Sequence, residues 1–194
     1  MSENSMFKGQ MFLSRENLKQ EGLSDYKIRQ LTEKGIIKKL NNRFYENLQY
    51  EGDISDYNYA SVYVPEGVIC LLSAAVYYNL SSYRPDAVEV AIPRKAKVSS
   101  LPDWPEIRIH YFTEERFSAG IEVQSQNGMA FQIYDIEKTV ADILYYRERV
   151  GIEETKEVML NYLRREDRNL NKLICYANQL KCANVLNYYL EVLL

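Results

Sequence analysis

Between Ser24 and Arg43 the chain sets out Tyr26, Lys27, Arg29, Gln30, Lys34, Lys38, Lys39 and Arg43, side chains whose chemistry suits a polyanion better than a reaction. Arginine offers a two-pronged donor to guanine, and glutamine a donor and an acceptor to adenine, so Arg29 and Gln30 are candidates for reading bases. Tyr26 would reach a base or a phosphate, and Ser24 is counted with these residues. Lys27, Lys34, Lys38, Lys39 and Arg43 fit sequence-blind contacts to phosphates. Residues 1–45 hold nine Lys or Arg against five Asp or Glu, a local charge of +4 in a chain of net charge -3, and the other 149 residues carry -7. A basic head on an acidic body implies an anionic partner for the head, although an ordinary solvated basic face would give the same count.

Catalytic alternatives are thinner. His110 is the only histidine, so neither a histidine pair on a metal nor a catalytic arrangement using two histidines is available. No G-x-x-x-x-G-K-S/T, G-x-G-x-x-G or H-E-x-x-H occurs, which removes the commonest phosphate cradles and zinc hydrolases. The sharpest enzyme reading is a metal-dependent nuclease built on Asp86 and Glu89. It would want a lysine two residues beyond Glu89, where Ala91 stands. Asp135, Glu137 and Asp142 form a second acidic group, and helix capping and dipole matching explain the first two more simply. The three cysteines, Cys70, Cys175 and Cys182, show no C-x-x-C spacing and read as reduced core residues.

The elements that must position the basic residues follow from caps and stops. In "LSRENLKQEG", residues 13–22, Ser14 caps a helix, Leu13 and Leu18 have the spacing of a hydrophobic staple, and Gly22 ends it. The pattern recurs in "LSDYKIRQLTEKG", with Ser24 as cap, Leu23 and Ile28 as staple, Asp25 at the positive end of the helix dipole and Gly35 as the stop. Helical spacing puts Ile28, Leu31 and Thr32 on the inner side and Tyr26, Arg29, Gln30 and Glu33 on the outer, flanked by Lys27 and Lys34. Residues 36–45, with Asn41-Asn42 at a two-residue turn, are expected to form a β-hairpin. Helix, helix, hairpin is the order of a winged helix.

The run "MFLSRENLKQEGLSDYKIRQLTEKGIIKKLNNRFY" resembles the N-terminal domain of the AbiEi antitoxins of bacterial abortive-infection systems, with Ser24, Tyr26, Ile28, Leu31, Gly35 and Tyr45 at matching positions. Two departures stand out: Arg43-Phe44 replaces a glycine ahead of the closing Tyr, and only eleven residues precede Phe12, where the family carries a further helix. Ser73-Ala74-Ala75 with Leu80, the Asp135, Glu137, Thr139 and Asp142 run with Lys138 in place of Arg, and the closing "LICYANQLKCANVLNYYLEVL" are also similar to that family. The resemblance implies an autorepressor of its own operon. It also implies that the body counteracts a nucleotidyltransferase-like toxin in a type IV arrangement, in which no stable toxin complex is needed.

The body supports an α+β expectation. A 46% hydrophobic share is enough for a sizeable core. Residues 46–64 read as an acidic, tyrosine-rich connection with a short helix over 55–63. A buried helix follows Pro65, alternating runs over 87–93, 106–112 and 120–134 predict a mainly antiparallel sheet of about four strands with a turn at Asn127-Gly128, and four helices close the chain. The expected domains are a winged helix-turn-helix over 1–50 and an α+β unit over 51–194. No cofactor or metal is expected. The N-terminus lacks the apolar stretch of a signal peptide, no run is long enough for a membrane span, and a cytoplasmic protein is expected. The expected function is thus a DNA-binding antitoxin, with an inverted-repeat operator as partner and monomer or dimer left open. A stand-alone winged-helix regulator or a nuclease is the alternative.

Overall fold

The computed structural model describes residues 7, 9–98, 100–126 and 128–193. In the N-terminal unit, β1 (Phe12–Ser14) leads into α1 (Arg15–Gln20), α2 (Asp25–Glu33), β2 (Ile37–Lys39) and β3 (Phe44–Asn47). Ser14 accepts from the Asn17 amide at 3.0 Å, and Ser24 from the Lys27 amide at 3.3 Å. Each cap satisfies an amide with no carbonyl partner in its own helix and contributes about 1 kcal/mol. Gly35 stops α2 at φ +67°, a left-handed conformation that side chains resist. The strands order as β1-β3-β2, both pairings antiparallel. Leu13, Leu18, Ile28, Leu31, Ile37 and Tyr45 close on one another and on Phe7.

Two local expectations change. The hairpin forms, but positive φ among the described non-glycine residues occurs only at Leu71, Asn79 and Lys181, so no two-residue turn is built on Asn41-Asn42. A longer connection is held by Asn41 Oδ1, which accepts from the amides of Arg43 at 2.8 Å and Phe44 at 2.9 Å, a local bond asparagine favours in turns. Thr32 is exposed and donates back to the Ile28 carbonyl at 3.1 Å instead of packing inward. Ahead of β1, Phe7 and Met11 are both buried, and Asn47 Nδ2 donates to the carbonyls of Phe7 and Gln10.

A unit this small is marginal by itself, and α3 (Asp56–Tyr63), capped by Ser55, braces it. Tyr59 meets the Phe12 ring edge-on at 5.1 Å and donates to Glu46 at 2.5 Å, while Asn41 Nδ2 donates to the Val62 carbonyl at 3.1 Å. The opposite side of α3 sets Ala60, with Val64 just beyond it, against Val88, Val90, Ile92, Phe131 and Ile133 of the body.

The body continues as β4 (Val68–Ile69), α4 (Leu71–Tyr77), β5 (Val88–Pro93), β6 (Ile107–Phe112), α5 (Glu114–Ser118), β7 (Ile121–Gln126) and β8 (Met129–Tyr134). Five helices follow: α6 (Ile136–Tyr145), α7 (Arg147–Val150), α8 (Ile152–Arg164), α9 (Leu170–Gln179) and α10 (Ala183–Leu193). The class is α+β, but the sheet differs from expectation. It has five strands in the order β6-β5-β4-β8-β7, and β5–β6 and β4–β8 are parallel. Alternation identifies a strand without giving its neighbour's direction. β4 is only two buried residues and merges in sequence with the apolar run of α4, which is why a continuous helix is expected there. Asn127 lies outside the described residues; β7 and β8 pair around it as an antiparallel hairpin.

Register divides the sheet's side chains between two layers. Val68 and Ala91, paired across β4 and β5, face the helical side with Phe112 and Tyr134, where α4, α6, α8, α9 and α10 pack. Ile69, paired with Val90 and Ile133, faces α3. Within the helical layer, α6 carries a buried polar network. Asp142 is fully buried and binds Arg116 at 2.6 Å and the ammonium of Lys138, which is also fully buried. Arg116 further donates to the Leu180 carbonyl and lies 3.8 Å from the Tyr145 ring centre. Asp135 caps α6 and accepts from Tyr176 at 2.7 Å, and Glu137 accepts from Tyr162 and from the Asn169 amide. A side chain at Gly120, φ +72°, would strike Lys138 Cβ and Asp135 Oδ2, so that turn admits only glycine.

Candidate nucleic-acid interface

Burial of Ile28 and Leu31 against the N-terminal core turns the opposite side of α2 to solvent. Tyr26 is 69% exposed there, Arg29 is exposed, and Gln30 Nε2 donates to the Tyr26 hydroxyl at 3.0 Å. That bond, one helical turn apart, orients both polar ends together. Ser24 sits at the head of the same helix and spends its oxygen on the cap. Lys34 is exposed near the C-terminal end, and Lys27 is half-buried along a cleft with Phe7, Leu23 and Leu31.

The hairpin cations separate. Cross-strand partners share a sheet face. Lys39 is opposite Tyr45, which is opposite Leu13, so it lies on the face that carries α1 and α2. Lys38 is opposite Glu46 and Phe12, on the face braced by α3. Arg43 belongs to the connection and shares an open groove of about 850 Å³ with Arg15, Glu16, Lys19, Phe44 and Pro65. Of the hairpin residues singled out in the sequence, Arg43 lies beside α1, Lys39 shares the sheet face that carries the helices, and Lys38 is on the opposite face.

Arg15 and Lys19 were not among the expected site residues. Arg15 Nη2 binds Asp25 Oδ1 at 2.8 Å, and Lys19 Nζ binds Asp25 Oδ2 at 3.2 Å. Hydrogen bonds from Arg15 and then Lys19 hold the Asp25 carboxyl below the usual carboxylate range, and Asp25 in turn raises Arg15. Their spacing of four residues directly after the Ser14 cap is a sequence signal: it puts both cations on one side of α1. The head of α2, the length of α1 and the hairpin connection therefore meet around three cations.

The acidic candidates resolve differently. Glu89 is buried and accepts from the Leu72 amide at 2.8 Å, and its other oxygen lies 3.2 Å from His110 Nε2. It anchors the first turn of α4, where Leu71 holds a positive φ, while Asp86 is exposed on the loop between α4 and β5. Asp135, Glu137 and Asp142 are consumed by the α6 network. Among the described residues no group of three or more His, Cys, Asp or Glu is disposed to hold a metal ion. Cys70 and Cys182 are buried, and burial pushes the Cys182 thiol up to about 11; Cys175, expected in the core, is exposed on α9. No helix among the described residues is long and apolar enough to cross a membrane.

No family model matches the chain, and no curated protein matches it. Among solved structures, the RV2827C protein from Mycobacterium tuberculosis is similar with a TM-score of 0.50 over 95% of this chain and 76% of that one, at 12% identity. At that identity the likeness speaks for a shared fold alone.

Proposed function

We propose that the N-terminal unit is a winged helix-turn-helix that binds double-stranded DNA at an inverted repeat in the promoter of its own operon. The chain is then a non-catalytic antitoxin that represses this operon and counteracts a nucleotidyltransferase-like toxin. One observation carries the DNA half: α2 stands on its apolar face with Tyr26, Arg29 and Gln30 outward, and its head adjoins Arg15, Lys19 and Arg43. A helix lying in the major groove reads base edges with its outer residues, while cations around its N-terminal end meet the flanking phosphates. The antitoxin half is supported by the resemblance to AbiEi antitoxins.

The test is an anisotropy titration with duplexes of the native promoter and a scrambled copy, across a salt series. Arg29→Ala is expected to erase about 1–3 kcal/mol of discrimination between the two duplexes. Arg43→Ala should weaken both alike and lower the salt slope by about 0.9. Lys38→Ala, on the braced face, should have the smallest effect. Equal affinity of the unaltered protein for both duplexes would overturn the operator reading. Expressing the neighbouring reading frame with and without this chain tests the rest: if that frame is harmless alone, the protein is a plain regulator.

A further inference from the structure

Asp25 stands in an unusual place for an acid on a surface meant for a polyanion. It is the first residue of α2, where any carboxylate is favoured by the helix dipole. Yet its two oxygens are divided between two cations of α1, Oδ1 to Arg15 and Oδ2 to Lys19. A phosphodiester presents the same motif, one negative charge shared by two unesterified oxygens on one centre. All three side chains are roughly half exposed, and ion pairs exposed to this degree are weak and readily exchanged. The third cation of the groove, Arg43, is tied to α1 through its backbone, its carbonyl accepting from the Arg15 amide at 2.7 Å.

We propose that Arg15, Lys19 and Arg43 form a backbone-phosphate site and that Asp25 occupies its Arg15–Lys19 part as an internal substitute for phosphate. This rests on the DNA-binding reading above and adds a discriminating element to it. In the free protein one carboxylate engages both cations and offsets one of their two charges, so Arg15 and Lys19 attract an arbitrary duplex less than two free cations would. At an operator, the base contacts of α2 bring a phosphate close enough to displace the carboxylate. Asp25 therefore lowers non-specific binding more than specific binding and widens the ratio between them.

The experiment uses the full chain and a random-sequence duplex of about three helical turns, titrated by anisotropy over a range of salt concentrations. Asp25→Asn keeps the shape and removes the charge. It should bind the random duplex roughly three- to tenfold tighter at low salt, with a salt slope steeper by about 0.9 to 1.8 as one or two further phosphates are engaged. Glu21→Gln, the same change in net charge at the far end of α1, should give a smaller gain and an unchanged slope. Adding Arg15→Gln and Lys19→Gln to Asp25→Asn should abolish the gain, and circular dichroism should show all variants folded. If the unaltered protein binds the random duplex and Asp25→Asn matches it in affinity and slope, or Glu21→Gln reproduces the full gain, the internal substitute is refuted and the DNA reading stands. If neither the unaltered protein nor Asp25→Asn binds any duplex, promoter included, the DNA reading fails and this inference fails with it.

Discussion

Replacing Asp142 with alanine removes the one carboxylate that faces two buried cations. Lys138 has no exposed surface and Arg116 only 8%, so neither ammonium nor guanidinium can be rehydrated without opening the helical layer. After the change Lys138 keeps the faces of the Tyr134 and Phe112 rings, 3.9 and 5.4 Å from its nitrogen, but no carboxylate, and Arg116 keeps the Leu180 carbonyl and the Tyr145 ring. Removing one partner of a buried pair costs about 3–5 kcal/mol, and two stranded cations put Asp142→Ala at the upper end. Lys138→Met is the informative contrast: it fills the volume of the lysine stem and leaves Asp142 paired with Arg116 at 2.6 Å, so the expected cost is about 0–2 kcal/mol. The assay is urea unfolding followed by helix circular dichroism, since the only tryptophan, Trp104, is 74% exposed and reports burial poorly. With a urea dependence of about 2–2.5 kcal/mol per molar, Asp142→Ala should lower the midpoint by roughly 2 M and Lys138→Met by less than half of that. A Lys138→Met midpoint as low as that of Asp142→Ala would refute the view that the carboxylate organises this network.

The bracing of the N-terminal unit by α3 and the titration of buried tyrosines give two further expectations. Tyr59→Phe deletes the hydroxyl that donates to Glu46 and should cost about 1–2 kcal/mol, seen as faster amide exchange in β1 and β3 with little change in β8; uniform loss across both units would contradict a local brace. Burial holds the Tyr57 hydroxyl up at about 12 and those of Tyr59, Tyr78, Tyr134, Tyr162 and Tyr176 higher still. Above pH 10 the unfolded chain then loses phenol protons that the folded chain retains, so stability is complete below about pH 10 and falls as pH rises toward 12. Tyr57 alone accounts for about 2–3 kcal/mol of that fall. A phenolate absorbance titration that rises smoothly for all tyrosines before any loss of helix would contradict it.

Short-range chemistry made the N-terminal unit legible in the sequence. Ser14, Ser24 and Gly35 mark helix ends through bonds and dihedrals that involve only near neighbours, and the structure places all three at those ends. The same holds for Asp135, whose cap opens α6, and Ser55, where a short helix is expected to begin, is the cap of α3. What the sequence did not disclose depends on distant partners. The parallel neighbour of β4 is β8, which comes much later in the chain, and β5 runs parallel to the very next strand, β6, a direction of which local alternation carries no trace. The break after Tyr145 escapes the periodic pattern for another reason: Tyr146-Arg147-Glu148-Arg149 holds neither proline nor glycine, so nothing in the residues marks a stop before Gly151. Lys38 and Lys39 look equivalent in sequence, and only the pairing with Glu46 and Tyr45 separates their faces. Arg15 and Lys19 were readable from their spacing, but their shared attachment to Asp25 needs the tight turn at Gly22 to bring α1 back against α2.

Pairing distances along the chain also fix an order of assembly on the ribosome. Every side chain that closes the first core lies between Phe7 and Tyr45, and its brace is complete at Tyr63. By contrast Val68 and Ile69 wait for Gln132 and Ile133, and Arg116 waits for the Leu180 carbonyl. At translation rates of about 5–20 residues per second, several seconds separate emergence of the cationic head from that of the last strand of the acidic body. Glu46, Glu51, Asp53 and Asp56 follow the head directly and offset its charge of +4 before any of the body's sheet has emerged, so over that interval the nascent chain is close to neutral while its cations stay gathered on the head.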